Sequence, residues 1–94
     1  MVKMYYVYVL QSDKDKGLYI GFSCDLKRRY NEHCAGECDS TKHRLPMKLI
    51  YYESYWCIQD AENRETFLKS GAGFRFLDKQ LRYYFQSHPR RKDS

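Results

Sequence analysis

The pattern of apolar and polar positions predicts three strands. Residues 4–10 and 47–55 are rich in Tyr, Val, Ile and Leu, which are common in strands. Residues 12–17 form a polar turn that ends in glycine, and residues 18–21 form a shorter returning strand. The first two strands should therefore pair across a tight connection, with the third joining them later in the chain.

Helices are expected between and after these strands. The first begins after Ser23, a frequent N-cap type, with Asp25 in its first turn and Gly36 as its stop. The second covers residues 58–69 and ends in the glycine-containing run 70–73. In the last helix, apolar residues recur at helical spacing and predict a core stripe of Phe74, Leu77, Leu81 and Tyr84. The expected fold class is α/β, with a small three-stranded, mainly antiparallel sheet flanked by helices.

Length and composition indicate one domain with one modest core. The chain has 94 residues, and we expect residues 1–86 to form the domain and residues 87–94 a basic polar tail. No apolar stretch is long enough to cross a bilayer, and the N-terminus lacks a signal-peptide pattern, so a cytoplasmic protein with reduced cysteines is expected. The net charge of +5 favours a polyanionic partner.

Two aromatic runs begin an ordered series of polar groups. Tyr6-Val7-Tyr8 and Tyr19-Ile20-Gly21 lie thirteen residues apart and are followed by Arg29, His33 and Glu65. This series resembles the GIY-YIG nuclease domain, in its small single-domain form related to the nuclease domain of the excinuclease C subunit. The resemblance covers most of the chain and implies an endonuclease that hydrolyses phosphodiester bonds, with a role such as DNA repair.

The resemblance also implies a role for each residue of the series. The two motif tyrosines fall on Tyr8 and Tyr19, and Tyr19 accepts the proton of the attacking water while Tyr8 orients it. Arg29 stabilises charge on the phosphate with support from His33, and Glu65 holds Mg²⁺ or Mn²⁺. A nucleic acid is the implied partner, DNA more than RNA, with no membrane and with a possible protein partner that supplies substrate affinity.

Helical spacing is an independent reason to include Arg29 and Glu65 among the candidate site residues. Arg29 and His33 are four residues apart and share a helix face, whereas Arg28 falls outside it. Glu65 lies on the apolar stripe of its helix, either as a structural ion-pair partner or as a metal ligand, since Mg²⁺ commonly uses one or two protein carboxylates. A free phenol, with a pKa near ~10, is a poor base unless a cation or metal lowers that value.

Several alternatives stay open. His33 could be a hydrogen-bonded residue at the helix end, a member of the phosphate site or a zinc ligand with Cys34, Cys38 and His43. Three basic residues are candidates for sequence-independent phosphate contacts: Arg28, Lys42 and Arg44. The chain could also be a nucleic-acid-binding module with weak catalysis.

Two positions depart from the family pattern. Tyr6 replaces the first glycine of the first motif, as in small members of the family. Phe22 stands where excision-repair relatives carry a lysine directly after Tyr-Ile-Gly, and that lysine helps to lower the phenol pKa there. The departure at Phe22 bears on how well a tyrosine acts as general base here.

Overall fold

The structure, a computed structural model, describes residues 3–92 and confirms the expected α/β class. Its elements follow in this order: β1 (Tyr5–Ser12), β2 (Leu18–Ser23), α1 (Leu26–Cys34), a 3₁₀ turn (Lys42–Arg44), β3 (Met47–Tyr55), α2 (Ile58–Leu68), α3 (Gly71–Gln80) and α4 (Arg82–Ser87). The strands form one sheet in the order β2-β1-β3, and both pairs are antiparallel. Within residues 3–92, no helix combines the length and the apolar character needed to cross a membrane.

The central strand β1 is buried on both faces of the sheet. Val7 and Val9 point to one face, where they pack with residues of β2, α2 and α3: Ile20, Ala61, Leu68 and Leu77. Tyr8 and Leu10 point to the other face, where they pack with residues of β3 and α1: Met47, Leu49, Leu26 and Tyr30. The alternation of a strand therefore divides the chain into two small cores, with α1 on one side and α2 and α3 on the other.

The start of α1 differs from the expectation by two residues. Asp25 is the N-cap, and its side chain accepts a hydrogen bond from the Arg28 backbone N–H at 3.1 Å. Ser23 instead closes the preceding turn, where its hydroxyl accepts from the Asp25 backbone N–H at 3.0 Å. Both residue types are common N-caps. Because β2 extends through Ser23, the helix begins later and Asp25 becomes its N-cap.

The glycine-containing run follows the end of α2, as expected, and also begins the next helix. Ser70 caps α3 by accepting from the Gly73 backbone N–H, so Gly71 is already helical. A Cβ at Gly73 would overlap the backbone of Phe67 and Leu68, which explains why a glycine occupies this helical position. The single last helix predicted from the apolar stripe is in fact two helices, because the backbone breaks at Leu81.

The basic tail packs against the domain through residue 92. Arg90 forms two hydrogen bonds with the carboxylate of Asp78, at 2.8 and 3.0 Å, and its guanidinium lies 5.0 Å from the centre of the Phe74 ring. The Arg91 backbone N–H donates to the Lys16 carbonyl oxygen at 3.0 Å. These contacts tie Arg90 to α3 and Arg91 to the β1–β2 turn.

One half-buried carboxylate joins β3 to α2. Glu53 accepts hydrogen bonds from the hydroxyls of Tyr51 and Tyr55, both at 2.5 Å, and from Arg64 at 2.8 and 3.0 Å. Burial alone would raise the pKa of Glu53, but the hydrogen bonds from Arg64, Tyr51 and Tyr55 outweigh it and lower the pKa. Glu53 is therefore ionised at neutral pH and holds α2 against the sheet.

We expect Glu53→Gln to lower the free energy of unfolding at pH 7 by about 2 kcal/mol, as for other hydrogen bonds to charged groups. Because the folded pKa lies below the unfolded one, this stabilisation is complete above the ordinary Glu pKa near ~4.3 and is lost as the pH falls through the folded value. Urea unfolding across the acid range checks this. The exposed Glu37→Gln is the control, and a Glu53→Gln deficit that stays constant with pH would contradict the linkage.

Candidate active site

Four residues of the predicted series meet on the α1 face of the sheet. The ring centroids of Tyr19 and His33 are 5.1 Å apart, those of Tyr8 and His33 5.8 Å, and those of Tyr8 and Tyr19 6.4 Å. The Tyr8 hydroxyl lies 2.9 Å from Nε2 of His33, and the Arg29 guanidinium also interacts with that hydroxyl. We call Tyr8, Tyr19, Arg29 and His33 the four-residue cluster.

The glycine of the second motif makes room for this cluster. Gly21 is the cross-strand partner of Tyr8, on the strand next to it. A Cβ at Gly21 would overlap the phenol ring and hydroxyl oxygen of Tyr8. The Tyr-Ile-Gly triplet therefore combines one reactive phenol with the space that a second phenol requires.

The Tyr8 phenol is a protonated hydrogen-bonding group at neutral pH. Its side chain is 1% exposed, and burial raises its pKa to about 12 despite the opposing effect of Arg29. Arg29 does lower the pKa of this phenol, but desolvation is the larger effect and sets the net direction. Tyr8 therefore stays protonated, in keeping with an orienting role.

Arg29 and Arg28 lie in different environments, as their helix positions predicted. The Arg29 side chain is 40% exposed and the Arg28 side chain 66% exposed. Arg29 pairs with Glu32 at 3.2 Å, whereas Arg28 pairs more distantly with Asp25 at 3.7 Å. Hydrogen bonds to Tyr8 and Glu32 raise the pKa of Arg29, which remains a cation with an anionic partner on its own helix.

His33 is fully buried and uses both ring nitrogens. Nε2 meets the Tyr8 hydroxyl, and Nδ1 lies 2.7 Å from the hydroxyl oxygen of Thr41. Burial and the positive charge of Arg29 lower the pKa of His33, so its imidazole is neutral at pH 7. A buried His33 acts on a phosphate only through neighbours such as Tyr8. The role of Thr41 was missed because a threonine in a basic loop carries no local signal for this contact.

The zinc alternative finds no support in the described chain. Both ring nitrogens of His33 that could bind a metal already have hydrogen-bond partners. Among residues 3–92, no group of three or more His, Cys, Asp or Glu side chains is placed to hold a metal ion. A metal ion bound to these residues would therefore need further ligands that are not protein side chains.

Glu65 lies apart from the four-residue cluster. Its helix α2 packs through Ala61 and Leu68 on the opposite face of the sheet. The Glu65 carboxylate is 24% exposed and pairs with Lys69 at 3.1 Å, its ion-pair partner within the described residues. A single accessible carboxylate fits the way Mg²⁺ is often held, with waters and substrate oxygens completing its coordination.

The basic residues predicted to contact phosphate differ in their availability. Arg44 makes two hydrogen bonds to the carboxylate of Asp15, at 2.8 and 3.2 Å, and these lower the pKa of Asp15 to about 2. This contact ties Arg44 to the β1–β2 turn and uses its hydrogen-bonding edge. Lys42 is exposed and pairs with the exposed Asp39 at 3.2 Å.

The fold and the four-residue cluster together define a class of small catalytic domain, in which two phenols from paired antiparallel strands meet an arginine and a histidine from the following helix. The chain belongs to the GIY-YIG family. The model of the GIY-YIG catalytic domain matches residues 4–74, which include β1 through the start of α3. This family assignment identifies the domain as a nuclease domain.

Curated relatives match over nearly the whole chain. UPF0213 proteins of Streptococcus pyogenes serotypes M5 (strain Manfredo), M2 (strain MGAS10270) and M28 (strain MGAS6180) are each 36% identical over 91 residues, covering 96% of this chain and 94% of the relative. Their names state no activity. No solved structure matches the chain.

We expect Gly21→Ala to lower the free energy of unfolding by about 1–3 kcal/mol, the usual cost of overpacking, because the new methyl group displaces the Tyr8 ring. Urea denaturation measures this change. Gly71→Ala is the matched control, since a Cβ there meets only Arg75 at an ordinary 3.5 Å. Equal stability of the two variants would show that Tyr8 does not need the space at Gly21.

Proposed function

We propose that this protein is a divalent-metal-dependent endonuclease that hydrolyses phosphodiester bonds in nucleic acid, DNA more than RNA. The observation that carries the proposal is the four-residue cluster. It combines a cation, two phenols and a buried imidazole in one contact group, at positions that match the family series. A phosphate is the ligand whose charge and oxygen acceptors suit such a group of donors.

The proposed roles follow from the environment of each group. Arg29 binds a non-bridging phosphate oxygen and stabilises the charge that develops as water attacks phosphorus. Tyr19, more accessible than Tyr8, acts as the general base for that water, and the leaving ester oxygen takes up a proton from solvent as its bond to phosphorus breaks. Tyr8 orients the water, and His33 holds Tyr8 in place.

We propose Glu65 as the ligand of Mg²⁺ or Mn²⁺. The cation would replace Lys69 at the carboxylate, and that exchange costs little because the Lys69 side chain is 56% exposed. When bound, such a cation supplies Lewis-acid polarisation of a phosphoryl oxygen. Glu65 and Arg29 lie on different helices. The bound substrate would therefore contact both the cation held by Glu65 and the guanidinium of Arg29.

Substrate binding is proposed to rest on few free charges. Arg28 on α1 and Lys42 in the following turn are exposed cations and are suited to phosphate contacts. Arg44 and Arg90 are held by carboxylates, so we assign them structural roles. This small surface is consistent with a partner protein that adds substrate affinity.

A second candidate is a nucleic-acid-binding module of the same fold with weak catalysis. One observation favours it: the Glu65 carboxylate is engaged by Lys69. A cleavage assay with Mg²⁺ or Mn²⁺ on DNA and RNA substrates separates the two candidates. Binding without cleavage under all these conditions would favour the module.

Metal dependence is tested with Glu65→Gln. We expect this variant to lose cleavage while keeping its fold, because the amide removes the charge that holds the cation. Activity across a Mg²⁺ and Mn²⁺ titration and the circular dichroism spectrum are the measurements. Glu62→Gln, on an exposed position of the same helix, is the matched control. Undiminished cleavage by Glu65→Gln, or by the wild type in excess chelator, would exclude this metal role.

The two neighbouring arginines give a second test. Arg29→Ala should slow the chemical step by about 10²–10³, as for other groups that stabilise developing charge. Arg28→Ala should mainly weaken substrate binding, since its side chain points to solvent. Single-turnover kinetics at saturating enzyme separates the two effects. A larger loss in the chemical step for Arg28→Ala would reverse the assignment.

A further inference from the structure

Thr41 carries a buried hydroxyl that the proposed chemistry leaves unused. The residue is fully buried in the turn after α1, and its Oγ1 lies 2.7 Å from Nδ1 of His33. The backbone of Thr41 is satisfied separately, with its N–H donating to the Cys38 carbonyl and its C=O accepting from Arg44. The side-chain hydroxyl of Thr41 is therefore available for a hydrogen bond with His33.

The side chains of Thr41, His33 and Tyr8 form a chain with two hydrogen bonds and three hydrogens. A neutral imidazole carries one N–H, and each hydroxyl carries one O–H. One hydrogen is therefore left over, at one end of the chain or the other. Which end it occupies depends on whether His33 is protonated on Nδ1 or on Nε2.

The two ends differ in what can accept the extra hydrogen. If Nδ1 carries the proton, the leftover hydrogen is on Thr41, whose hydroxyl has no second hydrogen-bond partner among residues 3–92. A buried donor without an acceptor costs about 1–3 kcal/mol. If Nε2 carries the proton, the leftover hydrogen is on Tyr8, beside Arg29 and Tyr19, where the proposed substrate brings oxygen acceptors.

We propose that Thr41 is a positioning residue: its hydroxyl donates to Nδ1 of His33, fixes the Nε2–H tautomer and leaves the Tyr8 O–H hydrogen for an oxygen of the water or the phosphate. Arg29 does not compete for this hydrogen, because a guanidinium has no acceptor. Through His33, Thr41 thus determines which atom accepts the hydrogen of the Tyr8 hydroxyl. Tyr8 is buried as well as Thr41, so the preference for this tautomer rests, like its catalytic consequence, on the proposed nuclease function, in which an oxygen of water or phosphate accepts the Tyr8 hydrogen.

The tautomer is read directly from the wild-type protein. In nitrogen-labelled protein at neutral pH, a long-range proton–nitrogen NMR spectrum distinguishes a protonated from an unprotonated ring nitrogen in His33. We expect Nε2 to be protonated and Nδ1 to be an acceptor. Protonation of Nδ1 would overturn the proposal, whether or not the protein cleaves nucleic acid.

Variants of Thr41 test the catalytic consequence. Thr41→Val keeps the shape but removes the donor, so the His33 resonances should shift toward a tautomer mixture. We expect kcat to fall about 10- to 100-fold, by analogy with partners that orient metal-bound histidines, with KM unchanged. Thr41→Ser keeps the hydroxyl and should restore both the spectrum and kcat. If Thr41→Val fails to fold, the wild-type and Thr41→Ser spectra still decide the tautomer.

Tyr84→Phe is the matched control for loss of a partly buried hydroxyl. Its hydroxyl donates to Gln11 at 2.6 Å, remote from the four-residue cluster in its contacts. We expect this variant to lose stability and to keep the His33 spectrum and kcat. Equal losses of kcat in Thr41→Val and Tyr84→Phe would mean that Thr41 is merely structural. A wild type that cleaves nothing but shows the Nε2–H tautomer would remove the nuclease function and keep the hydrogen-bond assignment.

Discussion

The hydrogen bond between the Tyr8 hydroxyl and Nε2 of His33 joins the central strand to the helix that carries Arg29. Both partners are buried, so loss of either would leave a polar group without a partner in a low-dielectric environment. The bond also sets the geometry around it, because Gly21 must stay small beneath the phenol and Arg29 lies one turn before His33 on α1. The position of the cation therefore follows from a contact that is inaccessible to solvent.

Exposure separates the ion pairs that hold the fold from those that a ligand can displace. Arg90 and Arg44 have side chains 10% and 23% exposed and make two hydrogen bonds each to Asp78 and Asp15, which suits a structural role. The Arg29–Glu32 pair is more open, and such pairs contribute only about 0–1 kcal/mol. Replacement of Glu32 at Arg29 by another anion would therefore cost little stability.

Local patterns were enough to predict the fold class and part of the cluster. Aromatic and β-branched runs gave β1 and β3, and alternation placed Tyr8 on a face that Tyr19 shares through the antiparallel register. Helical spacing separated Arg29 from Arg28. The contacts of Thr41 and the tail were not predictable, because hydrogen bonds between distant segments leave no periodic signal. Burial of Tyr8, which raises its pKa despite the nearby Arg29, is likewise a property of the tertiary packing.

The central strand also connects the two parts of the proposed chemistry. Tyr8 faces α1, while its neighbours Val7 and Val9 face α2, the helix that carries Glu65. The adjacent Arg64 holds α2 to β3 through Glu53, and its guanidinium lies 4.5 Å from the centre of the Phe76 ring on α3. A helix anchored one residue before Glu65 has little freedom to slide along the sheet. Any change that shifts β1 would therefore move the phenol and the carboxylate together, so the two faces of this small sheet are mechanically coupled parts of one proposed site.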